Sequence, residues 1–325
     1  MPQERKVASD PVAWRRSEDR VLSGVDALAP GRYVLAVSGG RDSMVVLDAF
    51  ARVRADAVAV ATYDHGTGAH ARRAVLLVGL EAGRRGIVAE CARRHGEPAA
   101  DDESAWRRAR WSFLGRVARE HHALIVTAHT RDDQIETVVM RVMRDARHTS
   151  ARGLAGMYAE PHARAVARPL LEISRTDVTN YALLRDVRFL EDPTNASAAH
   201  FRNRVRHDLL PALEAARAGF ARTMLDLSRR ASRWRRDVDA LVDTFGGVEV
   251  RAGVFAVPAL AERAGVALDW RGTERLIAFT RTAKPLRHIP LSGGARVLRT
   301  GTTFVIQAGA GGGRGDGIGD PYRLY

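Results

Sequence analysis

The stretch Tyr33-Val34-Leu35-Ala36-Val37-Ser38-Gly39-Gly40-Arg41-Asp42-Ser43-Met44-Val45-Val46-Leu47-Asp48-Ala49-Phe50 decides the fold of this chain. Tyr33–Val37 is short, apolar and rich in strand formers, and the run from Met44 to Phe50 reads as a buried helix. Between them lie two serines and a glycine pair. The glycines let the backbone turn and come close to a ligand. The first N–H groups of the following helix lack intrahelical partners and carry the positive end of its dipole. A strand, a glycine turn and a helix start in this order imply an anion site, with a nucleotide as the first expectation. A Gly-Gly pair alone would equally suit a plain connecting turn.

Outward from this junction, strand-like and helical runs alternate through the first two hundred residues. Strands are expected at Tyr33–Val37, Ala57–Tyr63, Ile87–Cys91, Ala123–Ala128 and Ala163–Ala167. Helices are expected at about Ser43–Arg54, His70–Arg85, Glu103–His121 and Asp132–Arg144. Such alternation predicts an α/β fold with a parallel sheet wrapped by helices. Ligands in such sheets sit beyond the carboxyl ends of the strands. Ser38, Asp64-His65 and His129 stand at three such ends, which should gather along one edge. From about Phe201 the pattern changes to long helices, and after Phe245 to shorter strand-prone pieces such as Val248–Val250 and Phe304–Ile306. The expected organisation is a catalytic domain over 1–215, then a helical linker and a small α+β domain over 216–325, ending in a glycine-rich tail at Gly309–Gly319.

Composition narrows the function. A chain of 325 residues is long enough for about two domains. No apolar run is long enough to span a membrane, and Met1–Asp10 lacks the apolar core of a secretory signal, so a cytoplasmic enzyme is expected. The single cysteine, Cys91, excludes an internal disulfide framework and a Cys-x-x-Cys site within this chain. Basic residues number 51 against 38 acidic ones, a net charge of +13 carried almost wholly by arginine. Two clusters hold no acids: Phe201–His207 and Ser228–Arg236. Each could be a solvated helix face; together they favour nucleic acid or another phosphate-rich substrate.

A second constellation lies at Thr127-Ala128-His129-Thr130-Arg131-Asp132-Asp133-Gln134-Ile135-Glu136-Thr137, after one strand and at the start of a helix. Helical spacing brings Asp132 and Glu136, and also Asp133 and Glu136, side by side. This acidic patch suits Mg²⁺ or an ammonium group. It also suits ordinary capping, because acids favour the first helical turn and Thr130 with Asp133 has capping-box spacing.

Ser-Gly-Gly-x-Asp-Ser is not the Walker loop, whose Gly-Lys-Ser/Thr ending is absent. It resembles the PP-loop of the ATP pyrophosphatases (adenine nucleotide alpha hydrolase-like), which split ATP between its α and β phosphates. A carboxylate beside a triphosphate is repulsive unless a cation lies between them, so that resemblance implies Mg²⁺ on Asp42, with Asp133 assisting. Helix capping is the plainer role for Asp42. Further matches follow in order: Asp64-His65-Gly66, Glu103 with Arg107 and Arg110, Asp132-Asp133-Gln134-x-Glu136-Thr137, Gly153-Leu154-x-Gly156-Met157, Arg168-Pro169-Leu170-Leu171, and Asp192-Pro193-Thr194-Asn195 ahead of Arg202-Asn203-x-x-Arg206. Over about residues 33–215 the chain resembles the tRNA(Ile)-lysidine synthetase family, in its short form.

The resemblance implies ATP-dependent transfer of lysine to the wobble cytidine of an isoleucine tRNA with a CAU anticodon. It assigns ATP to Ser38, Gly39, Gly40, Arg41, Asp42, Ser43, Asp64 and His65. Lysine goes to Asp132, Asp133 and Glu136. Phosphate or tRNA contacts go to Arg107, Arg110, Arg202, Asn203 and Arg206, with His129 lining the pocket. Family members are often dimeric, so a homodimer is implied. Trp111, Thr130 and Thr67-Gly68 depart from the usual pattern, and Thr130 removes a second histidine. The runner-up is a PP-loop tRNA thiolase, which needs paired cysteines or an iron–sulfur cluster.

Overall fold

The computed structural model describes residues 11–64, 66, 68–93, 103–144, 154–158, 166–191, 201–244, 248–249, 270–291, 296–301 and 303–307. The chain divides into two compact units, Met1–Glu136 with Ala165–Ala212, and Thr137–Arg164 with Leu213–Tyr325.

The first unit is an α/β layer structure, as the alternating pattern predicts. Its strands are β1 (Tyr33–Ala36), β2 (Ala57–Asp64), β3 (Ala89–Arg93), β4 (Leu124–Val126) and β5 (Val166–Ala167), in the order β3-β2-β1-β4-β5. Every neighbouring pair is parallel. The chain builds outward from β1 through β2 to β3, then returns to lay β4 on the other side of β1. Connections leaving the carboxyl ends of β1 and β4 therefore depart in opposite directions and open a crevice between them. That reversal positions the site.

Around the sheet lie α1 (Pro11–Asp26), α2 (Arg41–Val53), α3 (Ala69–Arg84), α4 (Glu103–Glu120), α5 (Arg131–Arg144) and α6 (Arg175–Leu184). Tyr33, Val34 and Leu35 of β1 are buried, as is every residue of α2 from Ser43 to Phe50. Burial on all sides explains why this segment shows no amphipathic alternation. The Tyr33 and Phe50 rings meet edge to face with centroids 5.7 Å apart.

Helices α1 and α6 lie outside the helical pattern expected from the sequence. They hold each other through polar groups: Ser17 and Arg20 both donate to Asp177 Oδ1, at 2.9 and 3.0 Å. Ser174 caps α6 by accepting from the Asp177 N–H at 3.0 Å. On α1 the buried residues are Ser17, Val21 and Val25, too narrow a stripe to stand out among its charges.

A second polar knot joins α2, α3 and α6. Asp48 accepts from Arg52 Nε at 2.6 Å, Arg85 Nη2 at 2.7 Å and the Tyr181 hydroxyl at 2.9 Å, and Arg85 also bonds Glu81 at 2.6 Å. Burial opposes ionisation of Asp48 more than any other single effect, yet the donors together hold its carboxyl below the usual range.

Beyond β5 and α6 come α7 (Phe201–Arg204), a π-helical turn (Val205–Leu209) and α8 (Leu210–Ala216). The Leu210 N–H reaches back five residues to the Val205 carbonyl. Pro211 supplies the cause: it has no N–H for the carbonyl of residue 207, and its ring would strike that carbonyl in a regular helix. The second unit contains a 3₁₀ turn (Gly156–Tyr158), α9 (Phe220–Thr244), α10 (Trp270–Thr282) and a sheet of β6 (Val248–Glu249), β7 (His288–Pro290), β8 (Arg296–Thr300) and β9 (Thr303–Gln307). Its order is β6-β9-β8-β7, with every pairing antiparallel. Leu276 and Val297 are fully buried there, and Phe279 packs edge-on against Phe304 with centroids 6.0 Å apart. This small helix-plus-sheet unit matches the expected extra α+β element; the Gly309–Gly319 tail lies outside the described residues. Among the described residues no helix is long and apolar enough to cross a membrane.

Replacing Asp48 with alanine strands the Arg85 and Tyr181 donors and should cost about 2–3 kcal/mol, read by urea unfolding at pH 7. Because the folded carboxyl ionises at lower pH than the unfolded one, this contribution is complete above about pH 4 and drains away as the pH falls further. The gap between parent and Asp48→Ala should therefore shrink at pH 3.

Candidate active site

The loop after β1 is built as its residues suggest. Gly39 adopts φ +85°, a conformation costly for other residues, and a Cβ there would lie 2.9 Å from the Ala74 Cβ on α3. Gly40 stands at the N-cap of α2 with no side-chain cap. Ser43 instead locks the turn: it accepts from the Ser38 N–H at 3.1 Å and donates to the Gly40 carbonyl at 2.8 Å. The Gly39 carbonyl accepts from the Leu190 N–H at 2.9 Å. Arg41 turns to Asp42 at 3.4 Å and Glu191 at 3.5 Å, and its guanidinium lies 6.0 Å from the centroid of the Phe189 ring. Asp42 does not cap its own helix with a hydrogen bond to the backbone; its carboxyl lies within electrostatic reach of Asp133 and Arg175.

Across that crevice, the segment after β4 opens α5. Its acids cap the helix and also meet guanidinium groups, by different atoms. Asp133 Oδ2 accepts from the Thr130 N–H at 2.8 Å and the Thr130 hydroxyl at 2.9 Å, an N-terminal capping arrangement. Asp133 Oδ1 accepts from Arg175 at 3.0 Å and Arg202 at 3.0 Å. Glu136, 1% exposed, accepts from Arg202 Nε at 2.8 Å and Arg206 Nε at 2.6 Å, with Arg175 at 3.3 Å. Three guanidiniums thus serve two carboxylates. Asp132 stands apart: its Oδ2 accepts from the Arg175 N–H at 2.8 Å and holds the start of α6.

The structure therefore brings Asp42, Asp133, Glu136, Arg202 and Arg206 together. Arg202 and Arg206, expected at phosphates, are turned onto the acidic pair, and Asn203 is buried beside them in the sequence. His129 lies near Arg168, Arg202 and Arg110, so Arg110 joins the same basic surround. Arg107 is half-buried one turn earlier on α4. Asp64, at the end of β2, accepts from the Gly66 N–H at 2.8 Å and pairs with Arg93 at 3.4 Å. His65 lies outside the described residues, as do Asp192–Asn195. Arg175 is the member that motif reading missed. Its signal was positional: it follows Ser174, a helix-capping residue, shortly after the Arg168–Leu171 run.

Charge sets the ionisation of these groups. Burial raises the Asp42 carboxyl above its ordinary range; Arg41 opposes that and the nearby Asp133 charge adds to it. Burial works against Asp133 too, yet Arg202 and Arg175 bring it down to about 2. For Glu136 burial is again the largest single effect, outweighed by Arg206 and Arg202. Burial and then Arg168 push His129 down to about 3, so it is neutral at physiological pH, with Thr127 Oγ1 2.9 Å from its Nδ1. Two like charges at Asp42 and Asp133 with a raised carboxyl between solvent and helix fit a hard dication that takes one or two carboxylates and completes its shell on phosphate and water. Among the described residues no group of three or more His, Cys, Asp or Glu could hold a metal by itself.

The His129 imidazole should show neutral chemical shifts from pH 8 down to pH 5. An unfolded histidine gains its proton near pH 6.5 and the folded one near 3, so this residue withdraws stability as pH falls through that window. His129→Asn should remove about 1–2 kcal/mol of the loss seen between pH 7 and pH 5.

Comparison with known proteins places this geometry. Residues 15–213 match the family model of the PP-loop domain. A tRNA(Ile)-lysidine synthase of Bradyrhizobium sp. is 37% identical over 247 residues, covering 72% of this chain and 66% of that protein. The Rhodopseudomonas palustris protein of that name is 35% identical over 244 residues, covering 72% and 69%. The one from Treponema pallidum is 32% identical over 275 residues, covering 79% and 52%. The chain thus spans about half to two thirds of the length of these curated relatives. Among solved structures, the U34-tRNA thiolase NcsA from Methanococcus maripaludis with its [4Fe-4S] cluster shares the fold, with a TM-score of 0.57 at 17% identity over 69% of this chain and 81% of that one. With its glycine loop at the β1 end and its acidic helix at the β4 end, the chain belongs to the tRNA(Ile)-lysidine synthase family of PP-loop proteins.

Proposed function

We propose that this protein uses ATP to adenylate the C2 oxygen of the wobble cytidine in the CAU anticodon of tRNA(Ile), releasing pyrophosphate. The ε-amine of free lysine then attacks C2, and AMP leaves with the C2 oxygen. One observation carries the reading: the phosphate-type loop after β1 and the carboxylates after β4 meet at the same crevice, with Asp42 within electrostatic reach of Asp133 and Arg175.

In this reading the Ser38–Ser43 loop receives the phosphates through the first amides of α2, with Asp64 and His65 on the nucleotide. Arg107 and Arg110 supply further positive charge to the phosphates. Asp42, with Asp133 behind it, would hold Mg²⁺, which when bound neutralises charge on the departing pyrophosphate. Asp133 and Glu136 take the lysine, and Asp132 keeps α6 and Arg175 in place. An ammonium competes with guanidiniums for the same oxygens, so lysine binding and the release of Arg202 or Arg206 toward RNA phosphates are one exchange. Neutral His129 lines the pocket that takes the cytidine once it leaves its stack. The region beyond 215 docks the body of the tRNA, and we assign the protein, by resemblance, to the cytoplasm as a homodimer. A thiolase reading has less support, because an iron–sulfur cluster needs several cysteine ligands and this chain holds only Cys91.

Purified protein with ATP, Mg²⁺, labelled lysine and the tRNA transcript should incorporate lysine only when the wobble base is cytidine. A folded, ATP-consuming sample that incorporates none rejects the reading. Asp42→Asn should lower lysine-independent AMP formation about a hundredfold or more. Glu136→Gln should raise the lysine KM about tenfold to a hundredfold while leaving adenylation nearly intact. Equal losses of adenylation in both variants would contradict this division of labour.

A further inference from the structure

Helix α9 carries a face that the reaction chemistry leaves unused. Leu225, Ser228, Ala231 and Ser232 are buried, and the Ser228 hydroxyl donates to the Ala155 carbonyl at 3.1 Å. Their spacing of three and four residues fixes the inward side of the helix. On the opposite side Arg230, Arg233 and Trp234 are all exposed, the indole by 59%. Trp234 lies one turn beyond Arg230 and follows Arg233 in the chain, so both arginines are exposed on its side of the helix. Arg222 and Arg236 carry positive charge further along the helix in both directions. Asp226 and Asp237 lie on the same side, and Asp226 is already paired with Arg229 at 3.1 Å. Among the described residues Arg230 and Arg233 have no ion-pair partner.

An indole left in water on the same helix side as unneutralised arginines is poor packing but a good platform for a base. Every nucleobase offers a π face, and its neighbouring phosphates suit guanidinium. We infer that this face is a second RNA contact of the protein, in which Trp234 stacks on an unpaired base of the tRNA and Arg230 and Arg233 take the adjoining phosphates. The inference rests on the tRNA reading above. Two other occupants fit worse. A second copy of this chain would bring a molecule of net charge +13 against an arginine-rich face. A membrane surface would need a broad apolar stripe, and among the residues of this helix whose burial is described Leu227, 37% exposed, is the one exposed large aliphatic side chain.

The test uses the full chain and the CAU tRNA(Ile) transcript, with dissociation constants measured by anisotropy between 50 and 200 mM salt. Trp234→Ala should weaken binding about tenfold or more, and Trp234→Phe, which keeps a ring, should stay within about threefold. Arg230→Glu with Arg233→Glu should flatten the log–log salt slope by about 1.5–2. Lysine turnover at saturating tRNA should be unchanged in Trp234→Ala, so the effect appears in the tRNA KM. Binding of tRNA should quench part of the indole fluorescence of the parent, and that part should be missing from Trp234→Phe. The inference is overturned if Trp234→Ala binds within twofold of the parent, or if that variant dissolves a dimer in sedimentation while tRNA affinity stands. A parent that retains no tRNA removes the tRNA reading itself, which is a different outcome from a binding parent with an indifferent variant.

Discussion

Glu136 is almost fully enclosed and still charged, and the rest of the site follows from how that is achieved. A carboxylate taken out of water is strongly destabilising unless donors replace its hydration. Here the donors are guanidiniums delivered from two separate stretches, Arg175 at the start of α6 and Arg202 and Arg206 from α7 and the π-turn. The need to satisfy Glu136 and Asp133 therefore draws the end of β4, the start of α6 and the Arg202 helix into one place. The π-turn forced near Pro211 falls within that same stretch, so a local backbone irregularity and a cluster of charge coincide.

The glycine loop stands on the other wall of the crevice and obeys a different constraint. It is held by backbone and hydroxyl bonds, Ser43 bridging Ser38 and Gly40, with no buried charge pair inside it. One wall is thus rigid through short-range geometry and the other through electrostatics. Ligands of opposite sign suit the two walls: phosphate oxygens at the amides, cationic groups at the carboxylates. The reversal of strand order at β1 and β4 sets them face to face.

The fold was legible where apolar runs were continuous. β1, β2 and α2 to α5 fall within a residue or two of their expected bounds, since strands buried on both faces and a helix buried all round leave unmistakable apolar blocks. β4 is shorter than Ala123–Ala128: the Thr127 N–H still donates to the Ala167 carbonyl of β5, and the chain leaves the ladder after it to build the site. β3 is shifted from Ile87–Cys91 to Ala89–Arg93 as an edge strand, where hydropathy says little. α1 and α6 were illegible because they join through Ser17, Arg20 and Asp177, polar residues that any surface helix could carry. At the site, the acids and the glycines were visible in the motifs. The partners of the acids were not, because a hydrogen bond spanning 40 to 70 residues leaves no mark on local spacing. Arginines read as awaiting phosphate turned out to be answering carboxylates first.

The tight contact between Gly39 and Ala74 has a consequence for how the loop can be altered. Space and torsion are two separate locks at that position. Trimming Ala74 to glycine would remove the 2.9 Å contact and leave its Cα and carbonyl oxygen 3.2 Å away, and the left-handed backbone at residue 39 would still disfavour any L side chain. No compensating change on α3 can therefore restore a loop that has lost this glycine; the floor of the glycine loop is fixed by chirality as well as by volume.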